Sequence, residues 1–157
     1  MSKRILVSSL VAVAVVGGVA AGGFAMAASS DTEPTVKKTE PTVENTTVRY
    51  VAPSGTAAGS LTFTADTSDD SGIQGLKAVA WPARSKLDPT EAEMLHVDSA
   101  TCSPTTDATS RCTYTLKVTR EEAADLDKGT WYVSVLATAK DGGTAFVPRA
   151  ATAELTG

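Results

Sequence analysis

Gly129-Thr130-Trp131-Tyr132-Val133-Ser134-Val135-Leu136-Ala137-Thr138-Ala139-Lys140-Asp141-Gly142-Gly143 is the stretch whose reading decides the fold. Trp131, Val133, Val135, Ala137 and Ala139 recur at every second position. Successive side chains of an extended strand point to opposite faces, so these five share an inward face. Aromatic and β-branched residues suit such a half-buried surface. Asp141-Gly142-Gly143 then supplies the residues that a tight hairpin turn requires. The stretch predicts a strand over 131–139 that turns back on itself.

The same period recurs upstream. In Ser60–Asp66, Leu61, Phe63 and Ala65 face one way, and Thr62 and Thr64 the other. From Cys112 onward, Cys112, Tyr114, Leu116 and Val118 alternate with Thr113, Thr115 and Lys117. Val48–Val51 reads as a first short strand, ended by Pro53-Ser54-Gly55, and Leu76–Trp81 as a third, closed by Pro82. Ser68-Asp69-Asp70-Ser71-Gly72 is turn chemistry. Beyond the hairpin, Thr144–Val147 pairs back and Ala150–Leu155 continues as an edge segment, with Pro148 breaking or bulging the ladder. About seven short strands with frequent turns predict an all-β protein, an antiparallel sandwich. Two short helices interrupt it. In Leu87–Leu95, Asp88 is placed to cap, Pro89 to take the first helical position and Glu91 to follow three residues after the cap. Thr119-Arg120-Glu121-Glu122 is a second capping box, opening a helix through Leu126 that ends near Gly129.

The amino terminus gives an address. Lys3 and Arg4 precede an apolar run from Ile5 to Val16, small residues follow over 17–23, and Ala25-Met26-Ala27 offers a small-x-small cleavage pattern. Charge, apolar stretch and small-residue exit in that order describe a secretory signal peptide over residues 1–27. A spanning helix needs roughly 20 apolar residues, a length reached here only by counting glycines and alanines. No cysteine stands near the cut, which argues against a lipid anchor. The cleaved chain would be residues 28–157, one domain's worth of sequence. Loss of Lys3 and Arg4 from the 14 basic residues leaves 12 against 18 acidic ones, a formal net charge of −6 in place of −4. That balance disfavours nucleic acid and anionic membrane, both of which reward clustered Lys and Arg. The expected localisation is extracellular, in the medium or at the cell wall.

Residues 28–47 read as a disordered Thr/Pro/Glu-rich linker. Thr32-Glu33-Pro34-Thr35-Val36 is repeated as Thr39-Glu40-Pro41-Thr42-Val43, and few large apolar groups offset the entropy of ordering. The domain is expected over 48–157. Cys102 and Cys112, the only cysteines, predict a disulfide in an exported chain. Nine residues between them do not make a C-x-x-C redox pair.

Phe63-Thr64-Ala65-Asp66-x-x-Asp69-Asp70-Ser71-Gly72-Ile73 resembles the second-strand region of bacterial immunoglobulin-like domains, and residues 129–142 resemble their penultimate strand and closing hairpin. The resemblance implies an immunoglobulin-like sandwich of about 110 residues, from which residues 84–111 depart as an insertion. The whole chain resembles a group of small secreted actinobacterial proteins known only as a domain of unknown function, and that resemblance implies no activity.

Catalytic chemistry finds little purchase. His96 is the sole histidine, with Glu93 and Asp98 near it in sequence and no placed serine. The pairs Asp69-Asp70 and Glu121-Glu122 fall in a turn and in a helical first turn, where acids favour the dipole. No catalytic, cofactor-binding or metal residue is assigned, no cofactor is expected, and the chain is read as no enzyme. Asp66, Asp69 and Asp70 form the one candidate oxygen cluster for calcium, joined by Asp141 if two strands end at the same pole. Trp81, Trp131 and Tyr132 are candidate stacking groups, with Trp131 expected in the core and Tyr132 facing away from it. The function expected is a non-catalytic binding or structural module with a protein or cell-wall partner. The alternative is an extracellular protease inhibitor presenting the Cys102–Cys112 loop, with Arg111 at its edge.

Overall fold

The structure, a computed structural model, describes residues 37–156; the expected signal peptide, residues 1–27, and the first part of the expected linker, residues 28–36, lie outside them. Seven strands form two antiparallel sheets: β1 Thr42–Val51, β2 Gly59–Ser68, β3 Ile73–Pro82, β4 Thr101–Pro104, β5 Thr109–Val118, β6 Gly129–Ala139 and β7 Thr144–Leu155. One sheet has the order β1-β2-β5-β4, the other β3-β6-β7. This is the strand order of the seven-stranded, constant-type immunoglobulin sandwich.

The predicted alternation is realised between the sheets. Leu61, Phe63 and Ala65 of β2 and Cys112 and Tyr114 of β5 meet Leu76 and Ala78 of β3 and Trp131, Val133, Val135 and Ala137 of β6 in one core. Phe63 is wholly buried, a burial worth about 2–3 kcal/mol for a side chain of this kind. Trp131 belongs to this core, and its indole N–H donates to the Asp127 carbonyl at 2.7 Å, which satisfies the one polar group it brings.

The first strand starts earlier than its sequence suggests. β1 begins at Thr42 and takes in residues 42–47, which the composition assigned to linker. A bulge explains why the pattern hid this. Register shifts between Glu44 and Thr47, and Asn45 takes a left-handed φ of 49°, a conformation Asn tolerates better than most residues. Alternation therefore breaks at Asn45, and only the half beyond it reads as a strand. β3 likewise begins at Ile73, and β7 continues past Pro148 with the expected bulge: Pro148, Arg149 and Ala150 together stand opposite Ser134 alone, between the pairs Val135–Val147 and Val133–Ala151.

The first helix, α1, is Glu91–Met94 alone, and its cap is Thr90 in place of Asp88. Thr90 and Glu93 form a reciprocal capping box: the Glu93 N–H donates to the Thr90 hydroxyl oxygen at 3.4 Å and the Thr90 N–H to Glu93 Oε2 at 2.8 Å. Glu91 lies in the first turn and accepts instead from the Thr144 hydroxyl at 3.0 Å. The second helix, α2 Arg120–Asp125, opens on the predicted Thr119–Glu122 box.

The segment 83–100 covers the outer face of the three-stranded sheet. Trp81, on the face of β3 opposite to Leu76 and Ala78, is only 2% exposed, and Leu136 and Met94 are equally enclosed. The Trp81 indole donates to Ser134 Oγ at 2.8 Å, and the Ser134 hydroxyl donates to the Pro148 carbonyl. Asp98 and Ala100 then pair with β3 along its free edge, through Ala78 N–H to the Asp98 carbonyl and Ala100 N–H to the Leu76 carbonyl. Trp81 is thus a buried residue and no stacking platform. Tyr132 lies beside it, half-buried, under the Arg149 guanidinium, 4.8 Å from its ring centre.

Candidate functional site

Three turns converge at one end of the sandwich, and the chain entering β1 crosses them. The turn after β2 folds around Asp69: its carboxylate accepts from the Ser71 N–H at 2.8 Å and from the Ser71 hydroxyl at 2.6 Å, while the Gly72 N–H returns to the Asp69 carbonyl. The turn after β6 repeats the device, with the Gly143 N–H donating to Asp141 Oδ1 at 2.8 Å. The Asp141 N–H donates to Ser71 Oγ at 3.2 Å, and Lys140 N–H reaches the Gly72 carbonyl. The β4–β5 turn joins through Asp69 N–H to the Ala108 carbonyl.

Thr39 locks the entering chain onto this pole. Its N–H donates to Asp141 Oδ2 at 3.0 Å. Its hydroxyl lies 2.8 Å from Asp69 Oδ2 and 2.5 Å from Asp70 Oδ1, so one proton serves two carboxylates. Gly143 makes room for it: a Cβ there would stand 1.8 Å from the Thr39 carbonyl oxygen. Pro41 is buried as the chain passes into β1.

Asp69, Asp70 and Asp141 each bring a carboxylate oxygen to within 4.8 Å of the others. Such oxygens suit a hard divalent cation. Asp69 and Asp141 already accept N–H and O–H groups, however, so a cation would have to displace donors the fold supplies. Asp69 is held below the usual carboxylate range, first by the Ser71 hydroxyl and then, against its burial, by the Ser71 N–H and Thr39.

Asp66 does not join them. Arg111 grips it through two hydrogen bonds, of 2.8 and 3.0 Å, and Asn45 adds a third at 3.0 Å. These contacts hold the Asp66 carboxyl low, Arg111 first, and raise Arg111 in turn. Asp66 and Arg111 are directly opposite in the β2–β5 register, so Asp66 points along the sheet face and away from the turn beyond Ser68.

Cys102 and Cys112 are disulfide-bonded and directly opposite in the β4–β5 pairing. The residues between them form a paired hairpin in which the Thr105 and Thr106 N–H groups donate to the Thr109 carbonyl. His96 is exposed just past α1, and no carboxylate is bonded to it. Glu121 lies in the first turn of α2, while Glu122 spends its carboxylate on the Thr119 N–H.

The sequence grouped Asp66 with Asp69 and Asp70 and admitted Asp141 only if two strands ended at the same pole; the structure brings Asp141 in and leaves Asp66 out, and Thr39, Ser71 and Gly143, which organise the three acids, were not singled out for that role. Thr39 was hidden in a Thr/Pro-rich stretch; the repeated Thr-Glu-Pro-Thr-Val followed by renewed alternation was the available signal.

No curated protein and no solved structure matches the chain. A family model does, over residues 43–137, from the second residue of β1 to near the end of β6. On that match the chain belongs to the family of unknown function DUF5707.

Proposed function

We propose that the chain is an exported, non-catalytic sandwich that acts as a binding or structural module outside the cell, with a protein or cell-wall partner. One observation carries the reading: the groups that could do chemistry are spent on the fold. Asp66 neutralises Arg111, Asp69 and Asp141 tie turns to the entering chain, and Glu93 and Glu122 cap helices. A hydrolase needs a nucleophile or base held ready for substrate. The Cys102–Cys112 disulfide supports an oxidising compartment, and among the described residues no helix is long and apolar enough to cross a membrane. The inhibitor reading is less well supported, because Arg111 is held against Asp66 and the hairpin backbone is already paired.

The test takes the protein from culture medium. Mass spectrometry is expected to show a chain beginning at Ala28, with no thiol alkylated until reductant is added. That chain is expected to be retained on isolated cell walls or their proteins, in competition with unlabelled protein, and to turn over no ester, peptide or glycoside. Turnover of any substrate, or retention inside the cell, overturns the reading; stoichiometric inhibition of a secreted protease would replace it with the inhibitor.

A further inference from the structure

The β2–β3 turn, the β4–β5 hairpin and Lys140 enclose an open cleft of about 460 Å³, whose walls include Asp70, Ile73, Asp107 and Ser110. Small-molecule sites run from roughly 300 to 1,000 Å³. Asp69 and Asp141, spent on holding the turns, do not line it.

Ser110 marks the cleft as more than a gap between turns. It stands on the inward face of β5, opposite Thr67, and is 5% exposed. Its hydroxyl has no hydrogen-bond partner among the described residues, yet it is not sealed from solvent. Hydroxyls this deep are almost always paired, so one left facing a cleft is placed to serve what enters.

The charges around it are likewise unspent. Gly72, at a left-handed φ of 86°, lets the turns close: a Cβ there would stand 2.8 Å from the Asp107 carbonyl oxygen and 3.1 Å from the Lys140 ammonium. That ammonium lies beside the hairpin but forms no ion pair with Asp70 or Asp107. The Asp107 carboxylate accepts no hydrogen bond, and Asp70 accepts through Oδ1 alone, from Thr39. One cation and two anions thus share the cleft without neutralising each other.

We propose that this cleft binds a small zwitterion of the α-amino-acid class. Its ammonium goes to Asp70 and Asp107, its carboxylate to the Lys140 ammonium and the Ser110 hydroxyl, and its carbon skeleton against Ile73 and Pro104. A lone cation would meet Lys140, and a lone anion the two acids; only a molecule carrying both charges pairs with every group, which makes the repulsions a source of selectivity. The site goes beyond the partner proposed above. It is formed wholly by the folded domain, so purified protein tests it whatever its address.

The experiment is a titration of the isotope-labelled chain, followed by NMR at the Gly72, Ser110 and Lys140 amides, with the Val133 amide as the reference for an intact fold. Free glycine is expected to shift the three amides and saturate in the millimolar range. N-acetylglycine, which lacks the cation, and glycinamide, which lacks the anion, are each expected to bind about tenfold more weakly, the loss of one charge-assisted hydrogen-bonding group. Lys140→Gln should weaken glycine about tenfold without weakening glycinamide, and Ser110→Ala should weaken glycine about fivefold. The proposal fails if glycine shifts none of these amides at tens of millimolar, if all three probes bind alike, or if Lys140→Gln leaves glycine binding unchanged. Glucose binding more tightly than glycine would also overturn it, since the cleft would then recognise hydroxyls in place of paired charges.

Discussion

The β3-β6-β7 sheet is buried on both faces around Trp81, Ser134 and Leu136, but by different means. The inner face meets another sheet, and every strand contributes to a shared core built on period two. The outer face is closed by one connection, residues 83–100, through a four-residue helix that buries a single large side chain, Met94. The inner closure is redundant, since Phe63, Leu61 and Trp131 each touch several neighbours. The outer closure hangs on few groups: Met94, the Trp81–Ser134 bond, the Thr90–Glu93 cap and the Thr144–Glu91 contact. A face covered by a sheet opens only when the fold opens; a face covered by a connection can open alone.

The sharpest test of that difference sets Phe63→Ala against the outer cover. Phe63 is wholly buried at the centre, and truncation of such a residue costs about 3–5 kcal/mol. Chemical denaturation is expected to show that loss in a single transition, with both tryptophans exposed together. Separate transitions for Trp81 and Trp131 in this variant would mean that the inner core is not one unit.

The disulfide comes next. It closes a separation of ten residues, for which the chain-entropy model gives about 3 kcal/mol at most. Cys102→Ala/Cys112→Ala is expected to lose up to that amount. The staple follows directly on the edge pairing of residues 98–100, so acrylamide quenching of Trp81 asks whether the staple also holds the cover. Unchanged quenching is expected, because Asp98 and Ala100 are anchored on β3 by their own backbone bonds.

Met94→Ala should cost about 2 kcal/mol, the low end for methionine truncation, since a connection collapses more readily than a sheet. The telling readout is local. One tryptophan of the two is expected to become quenchable while β2 and β5 amides keep their protection. Equal loss of protection in both sheets would erase the distinction between the two covers.

The inner closure was legible because alternation is a regular signal: Leu61, Phe63, Ala65 and the Trp131–Ala139 series stand where the pattern puts them. The outer closure was not. Met94 is a lone apolar residue between exposed Leu87 and Leu95, and nothing in its spacing says which of the three is inside. The clue lay in β6 itself, where Ser134 and Leu136 fall on the face opposite to Trp131 and are nonetheless buried; a strand apolar on both faces is one covered on both. The acidic pole was half legible. Asp69 and Asp70 are neighbours in sequence, but bringing Asp141 to them depends on which strands end together, and Asp66 was misplaced because strand pairing with Arg111 outweighs proximity along the chain.

The smallest effect concerns the cap that starts the outer cover. Thr90→Ala removes the hydroxyl that accepts from Glu93 N–H, a loss of about 1 kcal/mol, and it should ease opening of the cover without touching the core. Its pH dependence separates this cap from other acids. Glu93 is held below its ordinary value of 4.5, first by the Thr90 N–H and then by the Thr90 hydroxyl. A depressed carboxyl contributes stability that is present above the unfolded value and is lost as pH falls through the folded one. Wild-type protein should therefore lose cover protection as the pH drops below about 4.5, beginning near the unfolded value of Glu93. Asp66, Asp69 and Glu122 are depressed as well, but none of them touches Thr90, so their acid loss is common to both proteins. The residue-90 N–H bond to Glu93 survives in Thr90→Ala and cancels, so the wild-type minus Thr90→Ala difference, followed by exchange at the Trp81 indole N–H, isolates the share of the Glu93 carboxylate held by the Thr90 hydroxyl and is expected to shrink on acidification. A difference that holds constant through that range would show that the Thr90 hydroxyl acts only by accepting from the Glu93 N–H and that its contact with the carboxylate contributes nothing to keeping the outer face closed.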